Sequence, residues 1–428
     1  MTYRGLTVLA LGAAVACAQG VGGAAVPDWT QFGGPTRDFM VASTGLASSW
    51  PASGPRRLWS RALGDGHSSI IVDGARLFTM YRPLPAGGAT PHEEEVVVAL
   101  DAGSGKTLWE SRHDGSLRGL DISRGLGPYS TPIIVGDRLF AATTRRELLA
   151  FDKASGKRLW GHDLKTEFGA PLEDSYHGGY SCSPIAYKNT IILMMGGKDQ
   201  AMAAFDQATG ALAWKAGNFA AAPSSPTLVD IDGQQQLIVL AGDSVNGLDP
   251  DSGRILWSHP HVTDFGLGVS IPVWSASAHL LFLSSAYNSG SRVLELHQQG
   301  GKTTVTERWF SRRMRVHFGS IIRLGDHVYA SSGDFGPSFL MAVDMKTGDV
   351  AWQDRSFSKS QLLYADGKFI ILDEDGQLGL ASMSPAGLTV LAKAPVLQNI
   401  SWTPPTLVGT TLYARDRRTA MALDLGTR

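Results

Sequence analysis

The sequence predicts an all-β fold, an eight-bladed β-propeller of four-stranded antiparallel blades, on three observations. A phrase of apolar strand, Asp, three residues, Gly and a second strand holding Trp recurs along the chain. Its landmarks repeat at the period of a four-stranded blade. The two chain ends each carry an incomplete unit that completes the other.

Five copies keep Gly four residues and Trp eight residues after the Asp: Val97–Trp109, Leu148–Trp160, Met202–Trp214, Val245–Trp257 and Leu340–Trp352. Three more are degenerate. One puts His297 at the Asp position and Trp309 twelve residues on, one puts Ser382 there and lacks the Trp, and the last reaches Asp424 as the sequence ends. The landmarks 101, 152, 206, 249, 297, 344, 382 and 424 are 51, 54, 43, 48, 47, 38 and 42 residues apart. His297 and Ser382 place an irregular arc at blades 6 and 7.

Each unit opens with two more strands around a tight turn, such as Thr131–Val135 and Arg138–Thr143 around Gly136-Asp137. Strands A and B are followed by C with the Asp and D with the Trp. The Asp suits a capped turn and the Gly a positive φ, while the Trp buries a large area and keeps an N–H to donate. A ring needs closure, since an open array leaves unpaired edges. Arg56–Leu63, an orphan fourth strand holding Trp59, is expected to complete the last blade. The expected organisation is a signal segment over 1–18, an extension over 19–53 and the propeller over 54–428.

Composition narrows the function classes. The 428 residues carry 38 Lys plus Arg against 39 Asp plus Glu, which lacks the basic excess of a nucleic-acid binder. Two cysteines, Cys17 and Cys182, exclude a disulfide framework and a cysteine-built metal site. Leu6–Ala16 is an eleven-residue apolar run after a weakly basic start, too short for a membrane span and suited to a secretory signal. Cleavage is expected after Ala18, or before a lipid-bearing Cys17. The mature chain is then exported and periplasmic, with no transmembrane span and as a single propeller.

The phrases at Ala99–Trp109 and Ala150–Trp160 resemble the repeat of pyrroloquinoline-quinone propellers. Asp28–Asp38, Leu362–Leu388 and Trp402–Arg418 resemble a narrower bacterial family of exported quinone-repeat-like propellers. That family is related in fold to quinoprotein dehydrogenases and to the outer-membrane assembly propeller lipoprotein. The resemblance implies two functions: a binding or scaffold module for an envelope protein, or a dehydrogenase of alcohols or sugars using pyrroloquinoline quinone and calcium. The sequence departs from the dehydrogenases in lacking a vicinal cysteine pair and a C-x-x-C-H haem site.

Strand alternation sends the D–A and B–C connections to one face and the tight A–B and C–D turns to the other. Length variation gathers on the first face, the usual binding face of a repeat ring. Residues opening each A strand converge on its axis. His67, Tyr129, His177, Tyr180, Arg315, His317 and Trp402 are therefore expected to form a polar, aromatic funnel for an anionic or planar ligand. His67, His177 and His317 have no metal-ligand spacing, and no metal is assigned.

Overall fold

Eight four-stranded antiparallel sheets stand where the repeats place them. In this computed structural model the described residues are Met1, 28–84, 92–121, 125–170 and 179–427. Residues 2–18 of the predicted signal, Cys17 among them, and His177 lie outside them. Blades 1 to 7 run Ile71–Asp114, Ile133–Asp163, Ile185–Ala216, Thr227–Pro260, Val273–Ser311, Ile322–Asp354 and Ser360–Pro395. Blade 8 joins Thr406–Val408, Thr411–Arg415 and Thr419–Asp424 to an outer strand from the other end of the chain, Arg56–Ala62. That strand pairs from Arg56 opposite Asp424 to Ala62 opposite Thr419, so closure occurs as expected. His297 lies in blade 5, because the unit containing Asp101 is blade 1. The irregular blades are thus 5 and 7, with the regular blade 6 between them.

Blade-to-blade packing explains the repeat. The turn Asp is a local cap: Asp101 Oδ1 accepts from Ser104 N at 2.8 Å and Oγ at 2.6 Å, and Asp206 Oδ1 from Thr209 N at 2.9 Å and Oγ1 at 2.8 Å. These bonds lead the influences that hold both carboxyls below the ordinary range. Capping leaves the carbonyl of the next residue pointing out of the turn. The Trp of the preceding blade takes it: Trp59 Nε1 donates to Ala102 O at 2.9 Å, Trp109 to Lys153 O at 3.1 Å, Trp160 to Gln207 O at 3.2 Å, Trp214 to Pro250 O at 3.2 Å and Trp309 to Met345 O at 2.8 Å.

The Gly four residues after the Asp lies beneath that indole. At Gly156, with φ +73°, a Cβ would come within 2.5 Å of the Trp109 ring, and at Gly105, with φ +69°, within 2.7 Å of Trp59. Handedness and ring contact both demand glycine there.

Three interfaces depart from this pattern. Trp352 reaches the Ser-based turn of blade 7 through Ser384 O at 2.7 Å. Trp257 turns inward onto its own sheet, where a Cβ on Gly247 would lie 2.0 Å from Nε1, and donates to the buried Gln236 at 2.8 Å. Gln236 in turn donates to Thr303 of blade 5 at 2.7 Å. Blade 7 has no Trp, and the carbonyl it would take, Leu425 O, accepts from Ala47 N at 2.8 Å.

Ala47 belongs to a segment that crosses the tight-turn face from blade to blade. Trp29 exchanges backbone bonds with Val72 of blade 1, and Thr30 O accepts from Ile134 N of blade 2. The Arg37 guanidinium donates to Pro184 O, ahead of blade 3, at 3.2 Å. Thr36–Met40 lines one cleft with the inner strands of blades 4, 5 and 6. Phe39, Val41 and Tyr364 join it to blade 7, and Gly45 and Ala47 to blade 8. Trp29 is 1% exposed and packs in one core with strands of blades 1, 2, 7 and 8.

Two outcomes follow from this packing. Removing residues through Ser48 should cost about 3–5 kcal/mol through the emptied Trp29 site, read by urea unfolding, with an unchanged midpoint refuting the seal. Gly156→Ala should cost about 1–3 kcal/mol from strained φ and ring overlap, read by urea unfolding, with an unchanged midpoint contradicting the fit.

Candidate functional site

The inner strands bring their entries to the axis, and hydroxyls there stitch each blade to the next. Ser69 N donates to Thr131 Oγ1 at 3.0 Å, Thr131 N to Ser183 Oγ at 3.0 Å and Ser183 N to Ser225 Oγ at 2.9 Å. Gln361 continues the belt, accepting from Ser320 N at 3.1 Å and donating to Trp402 O at 2.7 Å. This belt satisfies backbone groups that no ladder reaches.

Above it opens an axial cavity of about 200 Å³, with walls from all eight blade entries and Phe32 of the crossing segment at its base. Phe32 meets Phe39 edge-on with ring centroids 5.4 Å apart. The funnel therefore has an aromatic floor on the tight-turn side.

Of the predicted residues, His67, Tyr129, His317 and Trp402 line this cavity. They sit in a continuous arc of rings. His67 stacks on Tyr129 at 5.7 Å and on Trp402 at 5.4 Å; Trp402 meets Phe318 at 4.7 Å, Phe318 meets His317 at 4.8 Å, and His317 meets Tyr287 at 4.9 Å. Such contacts preorganise flat apolar walls with polar tips. Trp402 Nε1 donates to Glu374 Oε2 at 2.9 Å, and Tyr129 Oη to Gly125 O at 3.0 Å. Burial first, and the nearby Asp65 carboxylate second, push the Tyr129 phenol above its ordinary range, so it stays a neutral donor. Lys359 lies behind the arc: its Nζ donates to Asp334 O at 2.6 Å and lies 3.2 Å from His317 Nδ1, while the Tyr287 hydroxyl bonds His317 Nε2.

Two predicted residues are placed elsewhere. Tyr180 is 2% exposed and lies in the core between blades 2 and 3, beneath the Arg146 guanidinium at 5.1 Å, where burial pushes its phenol well up. The cause is strand alternation: Gly179, Ser181 and Ser183 face the axis, so Tyr180 and Cys182 face the core. Arg315 stands outside the lining and pairs with Asp334 at 3.4 Å. The sequence reading missed Phe32, Tyr287, Phe318 and Gln361. Phe318 directly follows His317, and both line the cavity, so this entry does not follow simple alternation.

The donor set does not fit a quinone with calcium. A hard cation takes six to eight oxygens, mostly carboxylates and carbonyls, and among the described lining residues the one carboxylate is Asp121, with no Arg, Lys, Glu or Asn.

A second opening on the same face, about 440 Å³, lies between blades 7, 8 and 1 and is lined by Asp65, Glu374, Asp375, Asn399, Arg417 and Arg418, among others. Arg417 grips Asp65 through two nitrogens, at 2.8 and 2.5 Å. The loop face thus joins an aromatic funnel to a charged groove.

The family described as outer membrane protein assembly factor BamB matches residues 93–354. The chain belongs to this family. The outer membrane protein assembly factor BamB of Shewanella oneidensis is 24% identical over 308 residues, 69% of this chain and 73% of that protein. The quinohemoprotein alcohol dehydrogenase ADH IIB of Pseudomonas putida is 28% identical over 144 residues, 31% of this chain and 18% of the enzyme. The crystal structure of BamB from Moraxella catarrhalis superposes with a TM-score of 0.57 at 14% identity, covering 87% of this chain and 100% of that one. That likeness is one of fold. Among the described residues no helix is long and apolar enough to cross a membrane.

The two cations near the funnel should separate on substitution. Lys359→Ala removes a buried ammonium from a part-buried carbonyl and should cost about 1–3 kcal/mol, whereas Arg315→Ala breaks a part-exposed pair and should stay within about 0.5 kcal/mol. Urea unfolding of both variants checks this, and equal costs would contradict the assignment.

Proposed function

We propose that the protein is an exported binding module of the bacterial cell envelope that docks a partner protein on its loop face. The observation that carries this reading is the rim of the funnel. Phe335 is 65% exposed and Phe265 40%, and both abut Tyr287 with ring centroids 5.5 Å away. They continue the aromatic arc from the funnel wall to the surface, and Val262, in the same D–A link as Phe265, is 63% exposed. Exposed aromatics grouped beside a concave aromatic site are the composition of an interface centre. Isolated apolar residues elsewhere, such as Leu108 and Leu159 on outer strands, form no such group. Family membership and the name of the Shewanella protein support an envelope setting and outer-membrane assembly as the context.

The dehydrogenase reading has no comparable support, since its similarity spans 31% of the chain and Asp121 is the one carboxylate among the described lining residues.

Photo-crosslinking residues placed at Phe265 and Phe335 should capture one envelope protein in the native host. The same residue at Asp137, on the tight-turn face, should not. Phe265→Asp with Phe335→Asp should abolish that capture and leave the folded protein's thermal midpoint within about 2 °C, as expected of exposed sites. Equal capture from both faces would reject the loop-face reading. Quinone- and Ca²⁺-dependent dye reduction by purified protein would favour the enzyme instead.

A further inference from the structure

The interface between blades 4 and 5 lacks the Trp-to-turn dock, and the Asp of the turn that would receive it is replaced by His297. At the same interface, on the tight-turn face, Asp232, His279 and His297 offer three ligand atoms within 4.8 Å of one another. Asp232 comes from the A–B turn of blade 4. His279 comes from the A–B turn of blade 5, and His297 from near the tip of its C–D hairpin. We propose that these three side chains bind a borderline divalent transition-metal ion, Zn²⁺ being the reference case, which fastens blade 4 to blade 5.

The donor set is two imidazoles and one carboxylate, which suits Zn²⁺ and its neighbours and not Ca²⁺ or Mg²⁺. The orientation of each group points the same way. His279 Nδ1 lies 3.3 Å from Asp232 Oδ1, and His297 Nδ1 lies 3.8 Å from Asp232 Oδ2. The far nitrogen of His297, Nε2, faces Glu295 Oε1 at 3.6 Å. A carboxylate behind an imidazole is the arrangement that aims metal-bound histidines. Glu295 is itself held by Arg308 at 3.2 Å, and Gln298 N donates to Asp232 Oδ2 at 2.8 Å. The two imidazoles lie 4.5 Å apart, centroid to centroid.

Ligand atoms on a tetrahedral ion with bonds of about 2.0–2.1 Å sit about 3.3 Å apart. The triad therefore needs a closure of about 1–1.5 Å, which His297, half exposed, can supply by rotation. With three protein ligands, the fourth position is left to water. The ion would stand where the sequence has lost its Trp dock, joining two blades through side chains instead of an indole N–H.

The test uses full-length mature protein without an affinity tag, stripped with chelator. Zn²⁺ is titrated by calorimetry and Co²⁺ by visible absorption. The expected result is uptake of one ion per chain, a tetrahedral Co²⁺ band, and a thermal midpoint raised by Zn²⁺. His297→Ala and Asp232→Asn should each weaken Zn²⁺ by tenfold or more and remove the rise in midpoint, while His327→Ala on blade 6 should do neither. Because His297 is half exposed, its variant remains informative if His279→Ala does not fold. No uptake of Zn²⁺, or affinity within twofold of the parent in the His297→Ala variant, overturns the site.

Discussion

The structure depends on one repeated bond, the indole N–H of a blade's outer strand donating to the carbonyl that follows the turn Asp of the next blade. Its parts require one another. The Asp folds its turn inward onto Ser or Thr, which frees the carbonyl. The Gly gives the turn its handedness and leaves room for the ring. Five interfaces use this bond on an Asp-capped turn, and a sixth uses it on Ser384. Because the bond fixes the rotation between neighbouring blades, it also fixes where the inner strands meet. The funnel is what remains at the centre.

The interfaces without that bond show how the constraint is met by other means. Between blades 7 and 8 the backbone of Ala47 supplies the missing donor. That contact anchors a segment which then closes the tight-turn face and sets Phe32 as the funnel floor. Between blades 4 and 5, Gln236 relays the link through Thr303, and the histidine cluster lies at the same interface. An axial cavity sealed on one face admits a ligand from the other face only. The aromatic arc and its exposed rim lie on that open face.

Blade number, closure and the face that carries the long links were legible from the sequence because each rests on local spacing: the Asp–Gly–Trp phrase, the orphan strand with Trp59, and the lengths of the links. The site was legible only in part. His67, Tyr129, His317 and Trp402 line the axial cavity because A-strand entries must converge. Tyr180 failed because a single step along an extended chain reverses the side chain, and Ser181 holds the axial position. Arg315 failed because Asp334, which pairs with it, comes from a different connection of blade 6. Phe32 and Ala47 had no signal at all in the repeat. Their roles arise from contacts between the crossing segment and blades far along the chain, which no spacing encodes.

Hydrogen exchange of the tryptophan indoles, followed by NMR on indole-¹⁵N-labelled protein, tests the central claim most directly. If the docks lock the ring, the N–H groups of Trp59, Trp109, Trp160, Trp214, Trp309 and Trp352 exchange together, at the rate of global unfolding. Their protection then falls in parallel as denaturant is added. Fast and independent exchange of these indoles, with the backbone of the same blades still protected, would contradict the account, because the blades would then hold their places without the bond.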